Sequence, residues 1–89
     1  MRNKLEIFRD IEIERDRQDE KWGDQSDTWD PRWLAILTEE VGEIAKEILE
    51  SSGHNTGYVP DTVHLREELI QTISVGCAWV EALDTRVIQ

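Results

Sequence analysis

The stretch that decides the fold spans residues 34–49 and reads LAILTEEVGEIAKEIL. At about 100° per residue, its apolar side chains recur every three or four positions, which is typical of an amphipathic helix. The apolar stripe, which we expect to face the core, consists of Leu34, Leu37, Val41, Ile44 and Ile48. Its flank carries Trp33, Ile36, Glu40, Glu43 and Glu47. Carboxylates beside a buried surface repel one another and lose hydration, so their position needs a physical reason.

Two loop signals divide the rest of the chain. They are residues 22–31 (WGDQSDTWDP) and 51–61 (SSGHNTGYVPD), both rich in residues that break helices. Each loop ends in a helix start: Asp30 serves as one N-cap, and Asp61 or Thr62 as the other. Strand signals are absent. The sequence therefore predicts an all-α fold of three helices, each about 20 residues long.

The third helix, over residues 63–83, is apolar on most of its sides. One face holds Leu65, Leu69, Ile73, Gly76, Val80 and Leu83; a second holds Ile70 and Cys77; a third holds Val75, Ala78 and Ala82. A helix that is apolar nearly all round is buried nearly all round. Three helices cannot enclose one of their own members, so we expect self-association into a dimer or tetramer, with this helix at the interface.

The size of the chain and its single cysteine narrow the class of protein. Its 89 residues suffice for one domain, which we take as residues 1–89. Cys77 has no cysteine to pair with inside the chain, which fits a reducing compartment. Residues 1–16 show no secretion signal, and no apolar run approaches the ~20 residues of a membrane span. We therefore expect a cytoplasmic protein without a membrane partner.

The net charge narrows the possible partners. Twenty acidic residues against ten basic ones give a formal net charge of −10. That charge repels the phosphate backbone of nucleic acids and anionic membrane surfaces, so we expect neither as a partner. It attracts cations and basic proteins.

The first helix changes character along its inward stripe. The stripe begins as Ile7, Phe8 and Ile11 and continues as Arg15, Gln18 and Trp22. It becomes polar at positions that should still face the interior. Either this end contributes polar groups to an internal site, or it frays into solvent.

Two helices bring carboxylates to the edge of a shared apolar surface. Glu68 and Gln71 flank the third helix as Glu40 and Glu43 flank the second. Few lysines and arginines lie nearby in the sequence to neutralise them. A divalent cation can do so, because magnesium binds carboxylates, keeps several waters and carries substrate phosphates. Carboxylates on facing helices of a bundle are a known metal site. The pattern alone fits a magnesium site and a solvated acidic ridge equally well.

The segments TEEVGE (residues 38–43) and REELIQ (66–71) resemble the paired metal motif of the all-α nucleoside triphosphate pyrophosphatases, in particular the MazG-like proteins. That family has Glu-x-x-Glu on one helix and Glu-x-x-Asp on the next. Glu40 and Glu43 match the first pair and Glu68 the third position, while Gln71 stands where the family has Asp. The segment ERDRQDEKWGDQ (14–25) is also similar to the one that precedes the motif in compact MazG-like proteins. The resemblance covers residues 14–83.

The resemblance implies a magnesium-dependent enzyme that hydrolyses a nucleoside triphosphate, ribo- or deoxyribo-, to the monophosphate and pyrophosphate. Glu40, Glu43 and Glu68 would be the catalytic residues and hold Mg²⁺, with Mn²⁺ as an alternative. One of them would act as base. Gln71 would be a fourth ligand, neutral and therefore weaker. Family cores have four helices, so the three of this chain would complete such a core by homo-oligomerisation.

The candidate substrate-binding residues are Arg15, Gln18, Lys21, Trp22 and Trp33. Arg15 and Lys21 can meet phosphate charge. Trp22, and as second choice Trp33, can stack on the base. Trp79 is expected to pack in the core. His54 and His64 lack a second histidine or a cysteine at metal-ligand spacing, and we assign them no role.

Two other functions remain open on the sequence alone. A small acidic helical protein can imitate the charge of nucleic acid and block a DNA-binding protein. Alternatively, Gln71 marks a protein that binds nucleotide and metal but has weakened catalysis. Charge imitation would spread the acids over a whole surface, whereas here several of them concentrate beside the apolar stripes. The sequence therefore favours the active pyrophosphatase.

Overall fold

The computed structural model describes residues 3–52 and 61–88, and these form three helices. Helix α1 spans Lys4–Trp22, α2 spans Asp30–Ser52 and α3 spans Thr62–Ile88. The described residues contain no strand, so the prediction of an all-α class is confirmed. None of the described helices is long and apolar enough to cross a membrane.

The helix ends follow from local chemistry. The Asn3 side chain caps the start of α1 by accepting a hydrogen bond from the backbone N–H of Glu6 (3.0 Å). The helix stops at Gly23, whose φ of 73° is a conformation that favours glycine. Asp61 caps α3 by accepting from the backbone N–H of His64 (3.0 Å). Asp30 does not cap α2. Its Oδ1 instead accepts from Trp79 and Arg86 of α3, and so ties the two helices together.

Helix α3 lies between the other two helices. It packs against α1 and α2, whereas no Cα atoms of α1 and α2 come within 8 Å of each other. Asp30 at the start of α2 meets the end of α3, and Glu47 near the end of α2 meets His64 at its start, so the pair is antiparallel. This arrangement leaves a cleft between α1 and α2, with α3 as its floor.

The core of the described residues is small and uses a face of α3 with small apolar side chains. Trp33 of α2 (2% exposed) packs on Val75, Ala78 and Ala82 of α3. The alanines leave room for the α2 backbone to approach, and the indole ring fills the space between the helices. Trp79 packs against this cluster, as expected.

The prediction that the apolar stripe of α2 faces the core is wrong for Leu34, Val41 and Ile48, although Leu37 packs against the core cluster. Leu34 is 56% exposed, and Val41 and Ile48 are also exposed, whereas Leu37 and Ile44 are half-buried. We define the exposed apolar surface as Leu34, Val41 and Ile48 of α2 with Leu69, Ile73, Val80 and Leu83 of α3. The stripe is the most apolar face of α2, but α3 contacts the helix through the neighbouring face, which carries Trp33. Hydrophobic pattern alone does not choose between adjacent faces.

The predicted inward stripe of the first helix is confirmed in its middle, where Ile11 and Arg15 are half-buried and Gln18 is buried, but not at its apolar start. Ile7 and Phe8 are exposed, whereas the polar residues Glu14 and Gln18 (6% exposed) are buried. The interpretation that the polar end frays into solvent is therefore wrong. Hydrogen bonds satisfy these polar groups, which is the condition for burying them.

Candidate metal centre

The three glutamates of the sequence pattern come together at the contact of α2 and α3. Glu40 and Glu43 are one turn apart on α2, and Glu68 faces them from α3. One carboxylate oxygen of each residue lies within 4.8 Å of the other two. Glu43 is exposed, while Glu40 and Glu68 are half-buried. A divalent cation that binds oxygen ligands can take one atom from each.

The electrostatics of the cluster are unfavourable without a cation. Burial raises the pKa of Glu40, and the neighbouring charges of Glu43 and Glu68 raise it further. Oε2 of Glu68 is buried and has no hydrogen-bond partner among the described residues. No lysine or arginine of the described chain forms an ion pair with the three glutamates. Such a cluster gains most from a bound positive charge.

His64 joins the cluster from the first turn of α3. Its Nδ1 lies 2.8 Å from Oε1 of Glu47, and its Nε2 lies 3.4 Å from Oε1 of Glu68. The hydrogen bond with Glu47 is the main reason that the pKa of His64 is raised, and the charges of Glu68 and Asp61 add to it. This histidine has no predicted role from the sequence alone. Its spacing of four residues from Glu68 was a usable signal, but the contact with Glu47 depends on tertiary structure.

The cleft beside the glutamates encloses a cavity of about 220 Å³. Among the predicted site residues, it is lined by Gln18, Lys21, Trp22, Trp33, Glu40 and Gln71. Helix α1 contributes polar groups, α2 contributes Trp33 and Glu40, and α3 contributes a floor of Gln71, Val75 and Ala78. The cavity is therefore acidic at Glu14 and Glu40, basic near Lys21 and apolar at Val75 and Ala78.

Two lining residues that sequence reasoning missed organise the α1 wall. Arg17 donates two hydrogen bonds, both 2.8 Å, to the carboxylate of buried Glu14, and this contact lowers the pKa of Glu14. Gln18 donates to the same carboxylate (3.2 Å) and approaches the carbonyl oxygen of Gln71 (3.5 Å). The wall is thus tied to the floor beside Gln71. The spacing of Glu14 and Arg17 on one helix was visible in the sequence, but the burial of Glu14 was not.

Arg15 lies outside this cavity. Its guanidinium donates to Glu81 (2.6 Å), Asp19 (2.8 Å) and Gln18 (3.0 Å). It lines a separate cavity of about 380 Å³, between the end of α3 and the turn after α1. The structure does not bring Arg15 together with the glutamates, because the ion pair with Glu81 holds its guanidinium in the other cavity.

The two predicted stacking residues occupy different environments. Trp22 is 50% exposed at the rim, and Nζ of Lys21 lies 4.8 Å from its ring centroid. Trp33 is almost fully buried, and its Nε1 has no hydrogen-bond partner among the described residues. Stacking on a base requires an accessible ring face, which Trp22 offers and Trp33 does not.

In the metal-free protein, we expect Glu40→Gln to raise the Tm by a few degrees at neutral pH and to lose that gain in acid. The pKa of Glu40 is higher in the folded chain than its ordinary value of 4.5. As the pH rises from 4.5 through this raised pKa, the carboxylate must ionise in an unfavourable environment, and the folded state loses stability. Below 4.5, Glu40 is protonated whether the chain is folded or unfolded, and its contribution vanishes. Thermal melts in chelator across this pH range measure the effect. A gain of equal size in acid would contradict it.

The assembled site consists of three carboxylates, a linked histidine and a mixed polar cleft. His54 lies outside the described residues. The resemblance to MazG-like proteins rests on the sequence segments at residues 14–25, 38–43 and 66–71, and it stays a prediction. No family model, curated protein or solved structure matches the chain.

Proposed function

We propose that the protein hydrolyses a nucleoside triphosphate to the monophosphate and pyrophosphate, with magnesium held by Glu40, Glu43 and Glu68. The observation that carries this proposal is the approach of three carboxylates within 4.8 Å, in a group that no described lysine or arginine neutralises. A half-buried cluster of like charges is costly to fold unless a cation or proton compensates it. Magnesium is the common cation of oxygen-rich sites that bind phosphates.

The cleft supplies the groups that such a substrate needs. Bound magnesium would neutralise phosphate charge and help to activate a water. Lys21 and Arg17 line the same cavity and can bind phosphate oxygens, while Trp22 can stack on the base at the rim. Gln71 can offer its amide oxygen to the cation or to a water beside it. Arg15 does not contact substrate in this proposal, because its partners hold it in the other cavity.

A screen of canonical and damaged nucleoside triphosphates tests the proposal. We expect pyrophosphate release from at least one of them with magnesium and none in chelator. Binding of nucleotide and magnesium without pyrophosphate release would instead identify a nucleotide-binding protein that has lost catalysis. If magnesium leaves the melting curve unchanged and no nucleotide is cleaved, the glutamates are not a metal site.

We also propose that the exposed apolar surface joins two copies of the chain. On α3 this surface lies about 200° from the residues that line the cleft, as Ile73 does from Gln71, and on α2 it lies about 100° from them, as Val41 does from Glu40. Joining two copies through it brings four helices together, α2 and α3 of each, and leaves both clefts open. Contiguous apolar surface of this kind is uncommon on monomeric proteins. The sequence pattern predicted that the third helix contributes to the interface on most of its sides, but Val75 is buried and Ile70 and Cys77 are half-buried within the chain.

We expect Ile73→Lys to weaken self-association at least tenfold, or about 1.4 kcal/mol, because it introduces a charge into an apolar contact. Ile13→Lys is the matched control, since Ile13 is exposed on α1 and lies outside the surface. Light scattering across micromolar concentrations should show at least a dimer for wild type and for the control. A wild-type chain that remains monomeric would contradict the proposal.

A further inference from the structure

His64 makes contacts that set it apart from an ordinary surface histidine. One ring nitrogen is 2.8 Å from Glu47 on α2, and the other is 3.4 Å from Glu68 on α3. Its backbone N–H donates to Asp61 (3.0 Å) at the cap of α3. The backbone of His64 is therefore held in the cap of α3, and its ring is held by the hydrogen bond with Glu47. Asp61, Glu47 and Glu68 are the ionisable groups that the described residues place around it.

The two carboxylate oxygens of Glu68 have different environments. Oε1 faces Nε2 of His64, while Oε2 is buried and has no hydrogen-bond partner among the described residues. An ion pair at one oxygen of a carboxylate limits the directions in which the other oxygen can point. Glu68 is also the only member of the glutamate cluster on α3, so its orientation decides whether α3 contributes a ligand.

We propose that His64 is a positioning residue, which holds Oε1 of Glu68 so that the carboxylate is directed toward the cation. This inference rests on the proposed function, since it assigns Glu68 to a metal site. Glu47 does not contact Glu68 in this arrangement but holds the His64 ring through Nδ1. Partners of ligating residues commonly set both the orientation and the affinity of a metal site. Glu47 thereby gains a role that does not require it to bind metal itself.

The test compares two amide variants that separate the two contacts. In His64→Gln the amide nitrogen occupies the place of Nε2 and can still donate to Glu68. In His64→Asn it occupies the place of Nδ1 and can reach only Glu47. We expect the asparagine variant to bind metal about tenfold more weakly, and the glutamine variant to stay within about threefold of wild type. Electron paramagnetic resonance of free Mn²⁺ gives both Kd values, with the metal as the only ligand.

The controls distinguish this inference from the proposed function. Lys46→Ala removes an exposed residue paired with Glu50 (4.0 Å) and should leave the Kd unchanged. If wild type binds Mn²⁺ and Glu43→Gln does not, but His64→Asn binds like wild type, then the positioning role is wrong and the metal site stands. A purely structural histidine would lower the Tm of both amide variants alike and leave the Kd of each intact. If wild type binds no Mn²⁺, both proposals fall.

Discussion

Glu43→Gln is expected to lower magnesium-dependent pyrophosphate release about 100-fold or more, while the metal-free protein keeps or gains Tm. The variant removes one anionic ligand, and loss of a direct ligand should cost at least as much as the 10- to 100-fold loss that follows removal of an outer partner. It also removes repulsion with Glu40 one turn away, worth about 0.5 kcal/mol on a helix surface. Function and stability should therefore move in opposite directions.

The dependence of Tm on magnesium provides the second readout for Glu43. A ligand that binds only the folded chain raises its stability by mass action, so the wild-type Tm should rise with magnesium and that of the variant should not. Glu39→Gln is the matched control, because Glu39 is an exposed glutamate of the same helix outside the cluster. A structural role for Glu43 predicts the reverse pattern: a lower Tm, no response to magnesium and intact hydrolysis.

Trp33→Ala is expected to destabilise the protein by about 3–5 kcal/mol, the usual cost of truncating a buried aromatic side chain. Trp33 is the only large side chain of the buried core cluster of the described residues, where it packs on Val75, Ala78 and Ala82. Small domains are stable by only about 5–15 kcal/mol, so this change removes a large share of the total. The Tm should fall by about 12 °C or more.

Two variants separate packing from stacking at the tryptophans. Trp33→Phe keeps an aromatic ring and removes the buried N–H that lacks a partner, so its cost should stay below about 1.5 kcal/mol. Trp22→Ala, at the rim, should change stability by less than about 1 kcal/mol and raise the KM for nucleotide. A Trp33→Ala protein with unchanged Tm and raised KM would show that the buried ring stacks on substrate after all.

Local patterns in the sequence determined the helices and the spacing of the site residues within each helix. The starts of α1 and α3 depend on caps formed by residues nearby in the sequence. The residues of the loops interrupt helices whatever the tertiary structure around them. The positions of Glu40 and Glu43, three residues apart on α2, follow from helical periodicity alone. The spacing of His64 and Glu68 on α3 is equally local, although the sequence analysis did not use it.

Tertiary packing decided which faces are inside and which groups meet. Periodicity identifies the apolar sides of a helix, but the side that becomes buried is the one that finds a complementary partner. Trp33 fits against Ala78 and Ala82, so this face forms the core of the chain and leaves the more apolar stripe with Val41 exposed. The same packing brings Glu68 to Glu40 and Glu47 to His64, and the salt bridge with Glu81 directs Arg15 away from the glutamates. Each of these contacts joins residues of different helices, and no spacing within one helix encodes the distance between two.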